Sequence, residues 1–231
     1  MLGELWQSLD PSLFWEYRVI LLSGLAVNVG IFLAAAVVAS LLAFAIGLAR
    51  MSRIGPLRAA ATGYAELFRN TPELVIIVWT YYVLPVLIGR LFGIRLDLSP
   101  WLASVVALGL AYSGFMSETV RGGLLSIPRG HVEAAMSIGM SGWTILWRIM
   151  LPQAIRRMLP EALNQFVSLF KATSIVSLIA VQDIMYRVSM INVQEMRPLP
   201  LYTGAALLYC AVVIAASQAI QHLSARRQSW V

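Results

Sequence analysis

The chain has 231 residues, 59% of them hydrophobic and 12% charged, with a mean hydropathy of +0.77. Soluble domains average about 45–50% apolar residues, so this composition predicts an all-α polytopic membrane protein of five spans and leaves no room for a separate soluble module. The net charge of +6 comes almost wholly from arginines near the ends of apolar runs, which argues for membrane orientation and against nucleic acid as a partner; the single cysteine, Cys210, excludes an intrachain disulfide and a cysteine metal site.

In chain order, residues 1–18 place Glu4, Asp10 and Glu16 ahead of any apolar run, unlike the basic start of a secretory signal. Trp6, Phe14, Trp15 and Tyr17 suit the membrane interface, so the segment is expected to stay as a periplasmic, interfacial stretch. Val19 to Ala49 reads as the first span, closed by Arg50. A second apolar block, Leu57 to Ile88, would measure about 48 Å as one helix, against a hydrocarbon core of about 30 Å. Pro72, in "RNTP" (Arg69 to Pro72), is expected to break it near its middle. "SPWLASVVALGLAYSGFMSETVRGGLL" is the third span, opened by a Ser-Pro helix start. Ile155 to Met185 is the fourth, again too long for one crossing and expected to be interrupted at "KATS", Lys171 to Ser174. Leu201 to Leu223 is the fifth, followed by a short tail, residues 226–231. Arg50, Arg53, Arg58, Arg129, Arg148, Arg156, Arg157, Arg226 and Arg227 then fall on one side, which the positive-inside rule makes cytoplasmic. The N-terminus and the "DIMYRVSMINVQEMRPLP" loop are expected outside, the C-terminus inside.

The polar interval "HVEAAMSIGMSGWTILWRIMLPQ" falls in the cytoplasmic loop, residues 125–152. It reads as two short helices about a "GMSG" hinge, with Trp143 and Trp147 stacked at i and i+4 and Leu151-Pro152 turning the chain into the fourth span. Ala134 and Ala135 give the first helix a shallow face that another protein's groove could approach. A helix lying on lipid headgroups is the alternative. Glu133-Ala134-Ala135, Gly139, Ile149 and Leu151-Pro152 resemble the EAA signature of the membrane subunits of bacterial ABC importers. The resemblance implies a type I importer transmembrane domain over residues 19–225, with this loop as the coupling helix and Glu133, Ala134, Ala135 and Gly139 at the contact with a cytoplasmic ATPase. "ELFRNTPELV", "SETVRGGLLSIPRGHVEAA" and "LFKATSIVSLI" are similar to one branch, the polar amino acid permeases of the histidine, glutamine, glutamate and arginine type. The likeness covers about residues 20–222. Asn70, Ile77, His131 and Ala172 depart from that branch's usual residues.

The chain's only lysine, Lys171, follows "FVSLF", so no phosphate-binding loop exists here. ATP and magnesium are therefore expected to be used by a partner ATPase, and this chain is expected to bind no cofactor or metal and to be no enzyme. The implied assembly holds two permease subunits, expected as a heterodimer, two cytoplasmic ABC ATPases and a periplasmic amino-acid-binding protein, in the bacterial inner membrane.

Ionisable groups inside spans tend to face cavities or one another, and broken helices line substrate sites near the midplane. Arg69 and Lys171 lie at the two expected breaks. The expected solute site is therefore Arg69, Thr71, Lys171, Thr173 and Ser174 for carboxylates, with Glu118 near the amino group. An ion pair of Glu118 with Arg121 or Lys171, and one of Glu66 with Arg69, are the structural alternatives. Two cations at the breaks favour glutamate or aspartate as solute; basic amino acids and glutamine remain alternatives. A stand-alone secondary transporter would carry its own pseudo-symmetric repeat, which the sequence lacks. His131 and His222 lie far apart, with no cluster of carboxylates or cysteines that would suit a membrane enzyme. Trp79, Tyr81 and Tyr82 read as interface anchors, and Met185, Met190 and Met196 as loop packing or a contact for the binding protein.

Overall fold

The computed structural model describes residues 12–228, with side chains to residue 218. Glu4, Trp6 and Asp10 lie outside the described residues, as do residues 229–231 of the tail, and the side chains of His222, Arg226 and Arg227 lie outside the described side chains. A short helix α1, Ser12–Glu16, leads into α2, Arg18–Arg50. There follow α3, Gly55–Asn70; α4, Glu73–Phe92; α5, Pro100–Leu125; α6, Arg129–Ser137; α7, Gly142–Ile179; α8, Ile184–Glu195; and α9, Pro198–Gln228. Five of these are long and apolar enough to cross a membrane: α2, α4, α5, α7 and the Pro198–Gln218 part of α9. The protein is an all-α, five-span membrane protein.

The bundle is built around α5. Of its most apolar stretch 67% is buried, against 17–33% for the other four spans. It is enclosed because α2, α3, α4 and α7 all pack on it. Helices in lipid gain no hydrophobic contrast from association, so close van der Waals contact must hold them together. The sequence supplies small residues for that contact. On α2 the buried line is Gly24, Asn28, Ile31, Ala35, Ala39, Ala43 and Gly47, spaced three or four apart and so on one face. A Cβ on Gly109 of α5 would lie 2.7 Å from Val38 Cγ1, and one on Gly47 would lie 2.8 Å from Val120 Cγ1. The two helices therefore sit as close as glycine permits. Leu33, Val37 and Leu41, on another side of α2, are exposed.

The break expected at "RNTP" is present: Thr71 and Pro72 are extended, with ψ 129° and 137°. It differs from expectation in what it separates. α3 carries Arg58, Glu66 and Arg69, and only α4, after the break, has the apolarity of a span. The fourth span is likewise interrupted where expected, α-helical to Ala172 and 3-10 from Thr173 to Ile179. Ala180 ends it in the left-handed region at φ 60°.

Two expectations are corrected. Pro152 does not redirect the chain, because a π-turn at Leu146–Met150 widens the helix just before it. A wider turn accommodates the ring and the missing donor, so "WTILWRIM" forms the first turns of the fourth span and not a separate helix. The same device, a π-turn at Trp79–Val83, precedes Pro85 in α4. The expected outer loop after Gln182 is mostly helix: Asp183 caps α8 by accepting the Tyr186 amide at 2.9 Å.

Candidate solute path and coupling loop

α3 lies against the middle of α5, with the Tyr64 hydroxyl 2.8 Å from Ser113 Oγ. This places Arg69, at the end of α3, over the carboxylate of Glu118 one turn further along α5. Glu118 gathers three guanidinium groups. Its Oε2 is 2.7 Å from Arg50 Nη1 and 3.8 Å from Arg69 Nη1, and its Oε1 is 2.5 Å from Arg121 Nη2. Glu66, the second carboxylate of the group, is 3.4 Å from Arg69 and accepts from Asn70 Nδ2 at 3.1 Å. Both structural pairings weighed for these glutamates, Glu118–Arg121 and Glu66–Arg69, therefore exist. Arg50 was legible only as the charge that closes the first span; 68 positions of sequence separation from Glu118 hid the pairing.

Lys171 is not in this cluster. Its side chain is exposed, and it forms no ion pair among the described residues. The two breaks are nonetheless neighbours, since the 3-10 segment packs on the first turns of α4 and Ala172, Val176, Ile76 and Ile77 share one apolar core with Tyr112. Ile77 and Ala172 occupy buried apolar positions. Thr71 and Ser174 each turn a hydroxyl back onto their own helix, to Leu67 O at 2.7 Å and Lys171 O at 2.9 Å.

Thr173 is fully buried and holds the kink. Its hydroxyl donates to Phe170 O and accepts from Asn28 Nδ2 at 3.1 Å. The same Asn28 amide donates to Asp183 Oδ2 at 3.2 Å, while Asn28 Oδ1 accepts the Ile184 amide at 3.2 Å. One buried asparagine thus ties the first span to the kink of the fourth and to the cap of α8. Burial raises the Asp183 carboxyl above the usual carboxylate range, opposed by hydrogen bonds from the Tyr186 amide and Asn28. Nothing in the sequence distinguished Asn28 beyond its being polar in an apolar run.

At the opposite end of the bundle, α6 stands out from the spans. Glu133, Ala134 and Gly139 are exposed, whereas Ala135 is 3% exposed. The shallow face expected from both alanines is reduced to Ala134, because successive helical residues point about 100° apart. Gly139, at φ 80°, makes the turn out of the helix, a conformation glycine adopts without strain. Exposed apolar groups surround it: Met136, Ile138 and Trp143. Trp143 and Trp147 do meet, ring centres 5.4 Å apart, but edge to face at 63° and not stacked as expected, and His131 Nδ1 lies 3.1 Å from Gln153 Oε1, bracing α6 against α7. On α8, Met185 packs inward and Met190 is exposed, as is Met196 just past its end. Trp79 and Tyr82 are exposed along α4. Among the described residues no three His, Cys, Asp or Glu side chains gather as metal ligands would.

Comparison with known proteins follows the same lines. Residues 39–230 match the family described as "Binding-protein-dependent transport system inner membrane component". The glutamate/aspartate import permease protein GltK of Escherichia coli O6:H1 is 30% identical over 96% of this chain and 97% of its own. A probable glutamine ABC transporter permease protein, GlnP of Bacillus subtilis, is 36% identical over 78% of this chain and 81% of its own. Among solved structures, an amino acid ABC transporter described as crystallised with histidines superposes with a TM-score of 0.83 at 28% identity, covering 92% of this chain and 96% of that one.

Proposed function

Because the chain belongs to the family of binding-protein-dependent transport inner membrane components, and is a multi-pass permease subunit of the inner membrane and not an enzyme, we propose that it carries an acidic amino acid, glutamate or aspartate. The observation that supports this solute is the charge balance beside the break, where Arg69 meets the closing turns of α2 and α5. Three guanidiniums, Arg50, Arg69 and Arg121, surround Glu118, with Glu66 as the only other carboxylate in the group. Glu118 is already matched, so the unmet charge is positive and suits a solute with a surplus carboxylate. Arg69, about one-third exposed and held only at 3.4 and 3.8 Å, is the cation freest to exchange its partner. Thr71, Lys171 and Ser174 border the two breaks beside it. Thr173 acts behind them, through the kink. Glutamine is the second reading, favoured by the name of the Bacillus relative.

In this reading residues 19–225 form the transmembrane domain, with the N-terminus outside and the C-terminus in the cytoplasm. The loop within residues 125–152 is the coupling element. Glu133, Ala134 and Gly139 face a cytoplasmic ATPase, and Ala135 seats α6 on its own subunit. The working assembly contains a second permease subunit, two ATPases that use ATP and magnesium, and a periplasmic binding protein. The test is ATP-driven uptake by the complete transporter in proteoliposomes, with labelled glutamate, glutamine and arginine compared. Glutamate is expected to be carried best, and Arg69→Ala to weaken its uptake far more than assembly with the ATPase. Arginine uptake that exceeds glutamate, or unchanged glutamate uptake in the variant, overturns the assignment.

A further inference from the structure

Where α2 ends and α3 begins, a cavity of about 580 Å³ opens to solvent, lined by Arg50, Gly55, Arg58, Ala59, Thr62 and Arg121. Three of its six lining residues are arginines. Arg50 and Arg121 share the single carboxylate of Glu118, and Arg58 has no ion pair among the described residues, so the walls carry an excess of about two positive charges. The Arg50 side chain is 7% exposed, and its Nε is buried without a hydrogen-bond partner. Desolvating a guanidinium and leaving a donor unmet is costly unless an anion compensates it. Gly55, the first residue of the sixteen-residue α3, adds the positive end of a helix to the same wall.

The location says what kind of anion this is. Arg50 closes a 33-residue apolar helix, so the cavity stands at the level where the hydrocarbon gives way to headgroups. Ile54 and Leu57, on either side of the Gly55-Pro56 start of α3, are 62% and 46% exposed. A site for a free aqueous anion has no use for apolar groups beside it, whereas a lipid brings acyl chains to cover them. We propose that the Arg50–Arg58–Arg121 cavity binds the phosphate of an anionic lipid headgroup, with Arg50 and Arg121 forming its floor and Arg58 closing over it. The proposed cytoplasmic placement of this end of the bundle enters only in deciding which leaflet supplies the lipid.

The test counts lipids retained by the intact transporter, permease with its ATPases, released from nanodiscs of mixed phosphatidylcholine and phosphatidylglycerol into native mass spectrometry, with no ATP or amino acid present. Solute identity therefore does not affect the result. Phosphatidylglycerol is expected to be retained over phosphatidylcholine, to fall about five-fold in Arg58→Gln, the factor corresponding to about 1 kcal/mol for one surface cation, and to return in Arg58→Lys. Arg58 is exposed, and an unchanged unfolding midpoint in Arg58→Gln verifies that the fold is intact. Equal retention of the two lipids, unchanged phosphatidylglycerol in Arg58→Gln, or its displacement by millimolar inorganic phosphate overturns the proposal; the last outcome assigns the cavity to a free anion.

Discussion

Replacing Asn28 by leucine tests whether the buried amide fastens the α8 end of the bundle. The side chain is fully buried: its two N–H groups are shared among Thr173 O and Oγ1 at 3.1 Å and Asp183 Oδ2 at 3.2 Å, and its Oδ1 accepts the Ile184 amide at 3.2 Å. Leucine has the same branching and number of heavy atoms but is bulkier, so no cavity is created; the polar losses set the least cost, and overpacking at this fully buried position adds to it. Interhelical hydrogen bonds in membranes average about 0.6 kcal/mol and reach about 1.7. An unsatisfied buried donor, or a carboxylate deprived of a donor, costs about 1–3 kcal/mol. These losses together give about 2–4 kcal/mol, since the Thr173 hydroxyl keeps its bond to Phe170 O and loses only an acceptor role. The assay is thermal unfolding of the purified transporter in nanodiscs, with Ser40→Ala as control, because the exposed Ser40 hydroxyl reaches only Ala36 O of its own helix. A second variant separates charge from packing. Asn28→Asp keeps the shape but faces Asp183 with another carboxylate, and two adjacent carboxylates cannot both ionise cheaply. One of the pair then has a raised folded-state pKa, so the variant should be least stable at neutral pH and regain stability as pH falls and the pair takes up a proton. If Asn28→Leu unfolds with Ser40→Ala, or Asn28→Asp shows no such pH trend, the network does not hold the spans together.

Gly109→Ala and Gly122→Ala form a matched pair on α5. A Cβ at 109 meets Val38 Cγ1 at 2.7 Å, while one at 122 meets nothing within 4 Å, so the first should lose about 1–3 kcal/mol to overpacking and the second should gain up to about 1 kcal/mol of helix propensity; equal unfolding midpoints would contradict the close α2–α5 contact. Glu133→Lys reverses an exposed charge on α6 and should leave the unfolding midpoint unchanged while ATP hydrolysis no longer drives uptake, measured as the ratio of the two rates. A normal ratio with normal ATPase binding would remove Glu133 from the coupling surface.

The features legible in the sequence were those written in local chemistry. Proline after a polar residue located the break at Pro72, overlong apolar runs demanded the interruption at Lys171 to Ser174, and hydropathy gave the number of spans, though the second begins at Glu73 and the fourth runs from Gly142 to Ile179, away from their expected bounds. Proline misled once, at Pro152, because its rule concerns the α-turn, and a π-turn in the preceding five residues satisfies the same steric demand without ending the helix. The polar loop after Gln182 misled for another reason: α8 is helical because it packs on α2 and α9, tertiary contacts that composition does not carry, although its cap, Asp183 three residues before Tyr186, is a local signal. The site divides in the same way. Pairs three residues apart, Glu66 with Arg69 and Glu118 with Arg121, can be read from helix geometry. Arg50 on Glu118 and Asn28 on Asp183 depend on which helices the fold brings together, and no spacing rule reaches across 68 or 155 residues. What reveals such residues afterwards is cost. Arg50 with 7% exposure and Asn28 with none are polar groups that lipid would reject, so each must have a partner, and searching for that partner locates the two places where α2 is fastened by polar contacts to the rest of the bundle.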